Sequence, residues 1–453
     1  MKHLVILGGG TAAISATHAA VDRGWRVSLI HAGLPLGGCC LNVGCVPSKY
    51  LIRAAERVHH ARHPLFPGLG SAALSVDART LFEGQRDKVA ALRKRNYLDT
   101  LPTLEGVECI AGFGKLEDGR TVSVGARKID GDAILIATGS SPWTPSLPGI
   151  GAVEVLTNET LFGLEALPKS MLVLGGGYIA LEMAQMLQRL GVEVTLIQRS
   201  AHVLSNQPAE LGQTLTEFLE AEGMRVVCGT SLERVAKTAD GVRLTVKQAG
   251  ALREFEAEAL FSGLGRKGNT GNLGLDHLGI QTQGRGFIRV NDHLETSLPG
   301  VYAAGDVLGG HMLVYTASSE AEQVVAHLGG ESPPPIRPEA VPWVVFTDPQ
   351  VAGIGLDSDT ARRRGLEVEE AVLPVNRWPR FSTLGEDRGF LKLIRDVNTD
   401  CLVGARALCP EGGDLMTELG WILRKRIPMR EVAASLAPYL TLSEGIRKCA
   451  GRF

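Results

Sequence analysis

Long apolar runs are missing from this chain. None reaches the roughly 20 residues needed to cross a bilayer, and the N-terminal MKHLVILGGG meets glycine too early for a secretory leader. The expectation is a soluble, cytoplasmic protein with no membrane partner. An excess of either charge is missing too: 47 Lys plus Arg face 49 Asp plus Glu, a formal net charge of -2, which leaves no footprint for nucleic acid. Aromatics are scarce, with 12 Phe, 5 Trp and 6 Tyr in 453 residues, which argues against an aromatic-rich β-sandwich. Eight cysteines in so long a chain do not make a secreted disulfide framework, and only Cys39, Cys40 and Cys45 are clustered.

Glycine is what the chain has in quantity: 55 residues, suited to tight turns and close backbone approaches in nucleotide-binding α/β proteins. The length allows about two to four domains. Lys2–Leu7 is apolar and β-prone and runs into Gly8-Gly9-Gly10. Small residues Ala12–Ala20 then suit a helix, Gly24 stops it, and Trp25–Ile30 makes a second strand. Gly8-x-Gly10-x-x-Ala13 lies at the turn, where glycine lets a pyrophosphate approach a helix N-terminus whose free N–H groups and dipole favour an anion. One match of this kind is weak. Here there are two: strand Met171–Leu174, turn Gly175-x-Gly177-x-x-Ala180, helix Leu181–Leu190 and strand Val192–Ile197 repeat the design. Two nucleotides follow, one giving a hydride and one taking it. Candidate cofactor residues are Gly8, Gly10, Thr11, Ala12 and Ala13 in the first turn and Gly175, Gly177, Tyr178 and Ile179 in the second.

His31 and Gln198 each lie 23 residues after the first glycine of their turn, at the end of the second strand. An acid there would bind ribose hydroxyls, whereas an arginine accepts a 2′-phosphate. Gln198-Arg199 therefore predicts NADPH over NADH. His31 stands where an acid is expected, either contacting the adenosine ribose or facing solvent beside a ribose held by backbone groups.

The run Gly37-Gly38-Cys39-Cys40-Leu41-Asn42-Val43-Gly44-Cys45-Val46-Pro47-Ser48-Lys49 follows. In a straight helix, residues five apart rise about 7.5 Å, beyond the usual disulfide Cα separation. Pairing Cys40 with Cys45 needs a distorted turn, which Gly44 and Pro47 permit. A thiolate at a helix N-terminus or beside a cation is nucleophilic at neutral pH and binds soft metals, and Lys49 would supply that charge or pair with an acid. The competing readings are a zinc site, for which no second Cys or His pair is suitably spaced, and idle thiols.

This string resembles the redox segment of the FAD-dependent pyridine nucleotide-disulfide oxidoreductases, a family that includes glutathione reductase, dihydrolipoamide dehydrogenase and mercuric reductase. The resemblance runs from Lys2 to Phe453 and takes in Ala137-Thr138-Gly139 and Gly300–Asp306. It implies FAD on the first turn, with Gly38, Lys49, Ala137, Thr138, Gly139, Gly305 and Asp306 as further contacts, and NADPH on the second, with Gly265 among the cofactor residues. It also implies that Glu182 pairs with Lys49 beside the flavin, that Cys45 is the charge-transfer thiolate against the ring, and that Cys40 is the outer, interchange thiol.

Disulfide-reducing members carry a His-Pro-Thr-x-x-Glu segment, contributed by the partner subunit, in which His protonates the departing thiol. This chain has Tyr439-Leu440-Thr441-Leu442-Ser443-Glu444. An ordinary tyrosine, with a pKa of about 10, is a poor acid-base group near neutral pH. Pro438-Tyr439-Leu440-Thr441 resembles mercuric reductases instead, as do Ile52-Arg53-Ala54-Ala55, Val314-Tyr315-Thr316-Ala317 and Val345-Phe346-Thr347-Asp348-Pro349-Gln350-Val351. Some of those enzymes carry a Tyr near the metal path at the place of Tyr178. The resemblance implies that Cys40, Cys45, Tyr178 and Tyr439 meet a transient substrate ion. Cys39, where the family usually has Thr, is either a third sulfur ligand or a small buried filler. The residues up to Phe453 hold Cys449 but not the vicinal C-terminal cysteine pair usual in mercuric reductases, and their frequent N-terminal metal-binding domain is not expected here.

The fold class expected is α/β, with two Rossmann-like nucleotide-binding domains and a C-terminal α+β dimerisation domain. The FAD domain is expected at 1–147 and 271–337, the NADPH domain at 148–270, and the interface domain at 338–453, after a Pro333-Pro334-Pro335 linker. A homodimer would combine Cys40 and Cys45 of one subunit with Tyr439 and Glu444 of the other. Three functions remain open: reduction of Hg(II) to Hg(0), reduction of small disulfides or oxidised sulfur species, and a low-turnover thiol-based metal or redox binding flavoprotein.

Overall fold

Apolar runs ended by glycine become central parallel strands in two places in the computed structural model, which describes residues 1–453. In the first, His3–Leu7 lies between Arg26–His31 and Ala133–Ile136, with Val107–Ala111 and Val301–Ala303 outermost, all parallel. In the second, Ser170–Leu174 lies between Glu193–Ile197 and Ala259–Ser262, with Arg225–Val227 and Val155–Leu156 outermost, again all parallel. These central strands read as continuous apolar runs because helices or further sheet cover both faces.

Each sheet has its glycine turn and helix where expected, at Thr11–Val21 and Tyr178–Arg189. Antiparallel three-stranded sheets flank the two units, Gly114–Leu116 with Thr121–Val124 and Arg127–Asp130 in one, Thr230–Lys237 with Val242–Gln248 and Ala251–Ala257 in the other. The chain crosses between the units as a short antiparallel pair, Ser140–Pro142 against Arg266–Gly268.

The C-terminal part is a five-stranded antiparallel sheet in the order Trp343–Val345, Gln350–Gly355, Cys401–Cys409, Phe390–Asp396, Val368–Pro374. Helices Leu415–Lys425 and Leu442–Ala450 share its apolar core, which contains Trp378, Phe381 and Leu393. The architecture is thus the α/β fold with a C-terminal α+β unit that the sequence predicts. No helix is long and apolar enough to cross a membrane.

The cysteine segment is not one distorted helix but two. A single turn, Gly38–Asn42, ends at Val43, and the long helix Cys45–Arg62 starts afresh. Gly44 makes the break: a Cβ there would lie 2.9 Å from Cys39 O and 3.2 Å from Cys40 Cα. Pro47 falls in the first turn of the second helix, where its missing N–H has no partner to lose. The long helix packs on Tyr178–Arg189, which brings the cysteines to the seam between the two nucleotide units.

Candidate active site

One cavity of about 1980 Å³ runs between the two glycine turns. At one end Gly8, Gly10, Thr11, Ala12 and Gly38 line it, with Ala137, Thr138, Gly139, Gly305 and Asp306 alongside; at the other stand Gly177, Tyr178, Ile179 and Gly265. Cys39, Cys40, Cys45, Lys49 and Glu182 lie along the same wall system.

Both helices begin at a glycine with extended backbone, with no side-chain cap and no acid in the first turn. Their N–H groups are therefore left to a ligand, and an anion is favoured there. Ser262 supplies independent support: it lines the cavity, and its hydroxyl is buried without a hydrogen-bond partner. Such an orphan calls for a ligand polar group. The cradle fits two phosphate-bearing nucleotides. Gly8 and Gly175 shape it from behind, with φ of +140° and +106°, pressed against Ala137 and Gly263.

Cys40 and Cys45 are free thiols, and Cys40 donates a hydrogen bond to Cys45. That bond holds the Cys40 proton and pushes its pKa up, with burial adding to the effect. The same bond draws Cys45 down to about 7 against the opposing effect of burial, and Lys49 assists. Cys45 is exposed where it lines the cavity, although protein surrounds its sulfur on the other sides. Of the two, the sulfur at the head of the long helix is the one favoured as thiolate.

Lys49 Nζ donates to Glu182 Oε2 at 2.6 Å and lies 4.6 Å from the centre of the Phe346 ring. The other carboxylate oxygen of Glu182 accepts from Phe346 N at 3.0 Å. Glu182 is buried, so its charge is held by these two donors.

Cys39 faces away from the pair. Its Sγ lies 3.5 Å from Arg266 Nη2 and 3.8 Å from Asn158 Nδ2, and burial pushes its thiol up against the pull of Arg266. No three Cys, His, Asp or Glu side chains stand at metal-holding spacing. Arg266 is buried and also donates to Ser140 O and Oγ, each at 2.6 Å, while Ser140 Oγ donates to Asp306 at 2.9 Å. The sequence reading missed Arg266, Asn158, Ser140 and Ser262. Only the glycines beside Arg266 offered a local sign of them.

Several expected residues lie off the cavity wall. Ala13 is fully buried beneath the first turn. His31 packs beneath Gly9, whose missing side chain makes room for it, while Ala32 and Gly33 reach the cavity. Gln198 is buried, and its amide is taken up by Arg199 N at 3.1 Å and His202 O at 3.4 Å. Arg199 is exposed beside it. Tyr178, by contrast, does line the cavity, stacking on Trp343 at 5.6 Å with Asn206 and Gln207 beside it. Tyr439 and Glu444 are absent from the cavity wall: Tyr439 is 71% exposed, and Glu444 is buried, accepting from Leu440 N at 3.1 Å with Lys448 at 3.2 Å. Cys449 is a core thiol donating to Ala371 O and Leu391 O.

Residues 2–321 match the family model for pyridine nucleotide-disulphide oxidoreductases, and residues 341–450 match that family's dimerisation domain. The chain belongs to this family. The pyridine nucleotide-disulphide oxidoreductases are FAD-dependent and draw on a pyridine nucleotide, and the dimerisation domain points to a homodimer. The chain is 37% identical over 461 residues to mercuric reductase of Shewanella putrefaciens, covering 100% of this chain and 81% of that one. It is 35% identical over 451 residues to mercuric reductase of Lysinibacillus sphaericus, covering 99% and 82%. Among solved structures it resembles LpdA of Mycobacterium tuberculosis (TM-score 0.90, 27% identity, 100% and 99% covered). It also resembles the Cu(II) complex of the HOCl-induced flavoprotein disulfide reductase RclA of Escherichia coli (TM-score 0.88, 26% identity, 99% of each covered).

Proposed function

We propose that this oxidoreductase is an NADPH-dependent flavoprotein that passes electrons by way of FAD and the Cys40/Cys45 pair to a soft metal ion, reducing Hg(II) to Hg(0). The observation that carries this reading is the acidified Cys45 sulfur beside Cys40, Lys49 and Glu182, opening on a cavity shared by both nucleotide turns. Bound FAD supplies the two-electron link between the nicotinamide hydride and the sulfurs. The chain's own residues hold charge and geometry. Lys49 favours thiolate at Cys45, and Glu182 fixes Lys49. Two thiolates then take Hg(II) with loss of their protons, because sulfur is the preferred donor for a soft ion. Two electrons originating in NADPH reduce the ion to the neutral atom, which leaves the thiolates behind. No proton need reach a departing thiol, in keeping with Tyr439 where disulfide-reducing members carry histidine.

On this reading FAD occupies residues 1–147 with 271–337, NADPH sits on 148–270, and 338–453 pairs with a second copy, whose Tyr439 and Glu444 complete the site. The exposure of Tyr439 and of Leu436, at 98%, supports that last step. Arg199, exposed at the strand end, favours NADPH by taking its 2′-phosphate. The adenosine ribose of FAD is held by the Ala32–Gly33 backbone rather than by His31.

A second reading, reduction of small disulfides or oxidised sulfur, draws on the likeness to RclA, described as a flavoprotein disulfide reductase. NADPH consumption by the flavin-loaded enzyme in excess thiol, with and without Hg(II), separates the two. We expect Hg(II)-dependent oxidation and release of Hg(0). Inhibition by Hg(II), together with turnover of glutathione disulfide or lipoamide, overturns the first reading; consumption with neither acceptor in a flavin-loaded protein favours a low-turnover binding role.

A further inference from the structure

A ladder of buried polar contacts joins three parts of the molecule behind the reactive sulfur. The helix Tyr178–Arg189 presents Glu182, Gln185 and Arg189, all buried, towards residues 346–348 of the C-terminal part. Glu182 Oε1 accepts from Phe346 N at 3.0 Å. Gln185 takes both backbone groups of Asp348, accepting from its N and donating to its O, each at 2.8 Å. Arg189 Nη1 donates to the Asp348 carboxylate at 2.9 Å, and its remaining nitrogens bind Glu222 at 2.8 and 2.6 Å. The cysteine-bearing helix closes the other side: Lys49 binds Glu182, His60 lies 3.1 Å from Asp348, and Arg62 donates to Arg189 O at 3.3 Å.

The segment is therefore pinned at Asp348 by five bonds, two with Gln185, two from Arg189 and one with His60, while two residues earlier it holds the carboxylate that holds Lys49. Phe346 acts twice, through its N–H on Glu182 and through its ring beneath Lys49. Thr347, between the two ends, is buried, and its hydroxyl donates to Pro349 O at 2.8 Å. Little slack is left between the clamp and the lysine. A buried, fully bonded network of this kind has few alternative arrangements, so a displacement at one end is felt at the other.

We propose that Gln185 and Asp348 are positioning residues for the reactive thiol: by clamping the Phe346–Asp348 segment they fix the Lys49–Glu182 pair at Cys45 and so tie its reactivity to the seating of the dimerisation domain. This rests on the reading of Cys45 as the thiol against the flavin. Neither residue touches the sulfurs, and their effect travels through Phe346 and Glu182.

The test uses the flavin-loaded Cys40→Ser protein, in which the long-wavelength thiolate-flavin band reports Cys45 alone. The pH midpoint of that band is measured with and without Gln185→Met, which keeps side-chain bulk and removes both bonds to Asp348 together with the bond to Glu222. We expect a rise of about half a pH unit, equivalent to a roughly threefold loss of thiolate below the midpoint. An unchanged midpoint, even with a lowered melting temperature, overturns the proposal by showing a merely structural role. Should Gln185→Met fail to load flavin, Asp348→Asn, which removes the charge facing Arg189 and His60 and keeps the backbone bonds to Gln185, carries the same prediction with a smaller shift and is overturned by the same result. Absence of any band in the Cys40→Ser protein itself would sink the placement of Cys45, a different failure from an unmoved midpoint.

Discussion

The two glycine turns are nearly the same object built twice. Their helices start at Gly10 and Gly177 with φ, ψ of -90°, -171° and -88°, -180°, and each first glycine backs onto a carbonyl of the neighbouring strand end. What differs is the end of the second strand. His31 packs against Gly9 and Gln198 likewise against Gly176, but the next residue is Ala32 in the first unit and the exposed Arg199 in the second. The backbone thus makes a general phosphate cradle, and the few side chains beyond it decide which nucleotide is held.

Four substitutions test that division. Gly8→Ala would place a Cβ 2.1 Å from Ala137 O, and Gly175→Ala one 2.6 Å from Gly263 O, both in backbone regions that disfavour L side chains. Each should destabilise its unit by about 2 kcal/mol or more. Gly8→Ala should lose flavin on purification, whereas Gly175→Ala should stay yellow and lose NADPH affinity in a direct titration. Loss of the same ligand in both would break the assignment of one nucleotide to each turn. Arg199→Ala should raise KM for NADPH about tenfold or more and leave KM for NADH nearly unchanged, since a charge-assisted bond contributes roughly 1.5–3 kcal/mol. Equal effects on both would remove the 2′-phosphate role. The smallest effect is expected from His31→Ala, with Kd for FAD changing by less than about threefold, or under roughly 0.7 kcal/mol. A tenfold loss, measured by flavin fluorescence, would restore His31 to the ribose.

Much of this was legible in order along the chain. Strand, glycine turn and helix are local patterns, so both units could be read from Lys2–Leu7 and Met171–Leu174 with errors of only a residue or three at the ends. The spacing of Cys40 and Cys45 indicated a distorted turn at Gly44, and the close approach of Gly44 to Cys39 and Cys40 shows why the helix is broken there. The Lys49–Glu182 pair, 133 residues apart in sequence, came from resemblance rather than pattern. Gln185, Arg266 and Ser262 came from neither, and Asp348 only as part of the string Val345–Val351. Each is an ordinary polar residue until tertiary packing brings it to its partners, and the Gln185–Asp348 bonds span 163 residues. Cys449 is a simpler case. Outside the one cysteine cluster an inert thiol is the expectation, and Cys449 is buried in the C-terminal core.

The interruption at Val43–Gly44 bears on how the two sulfurs are held. Cys40 rides on a single isolated turn, whereas Cys45 is built into a helix of 18 residues braced against its neighbour. That turn is itself tied down: Asn42 donates to Pro35 O, Arg93 donates to Asn42 Oδ1, and Asn158 donates to Val43 O. The two sulfurs thus stand on separately anchored pieces of backbone that meet at a single glycine joint.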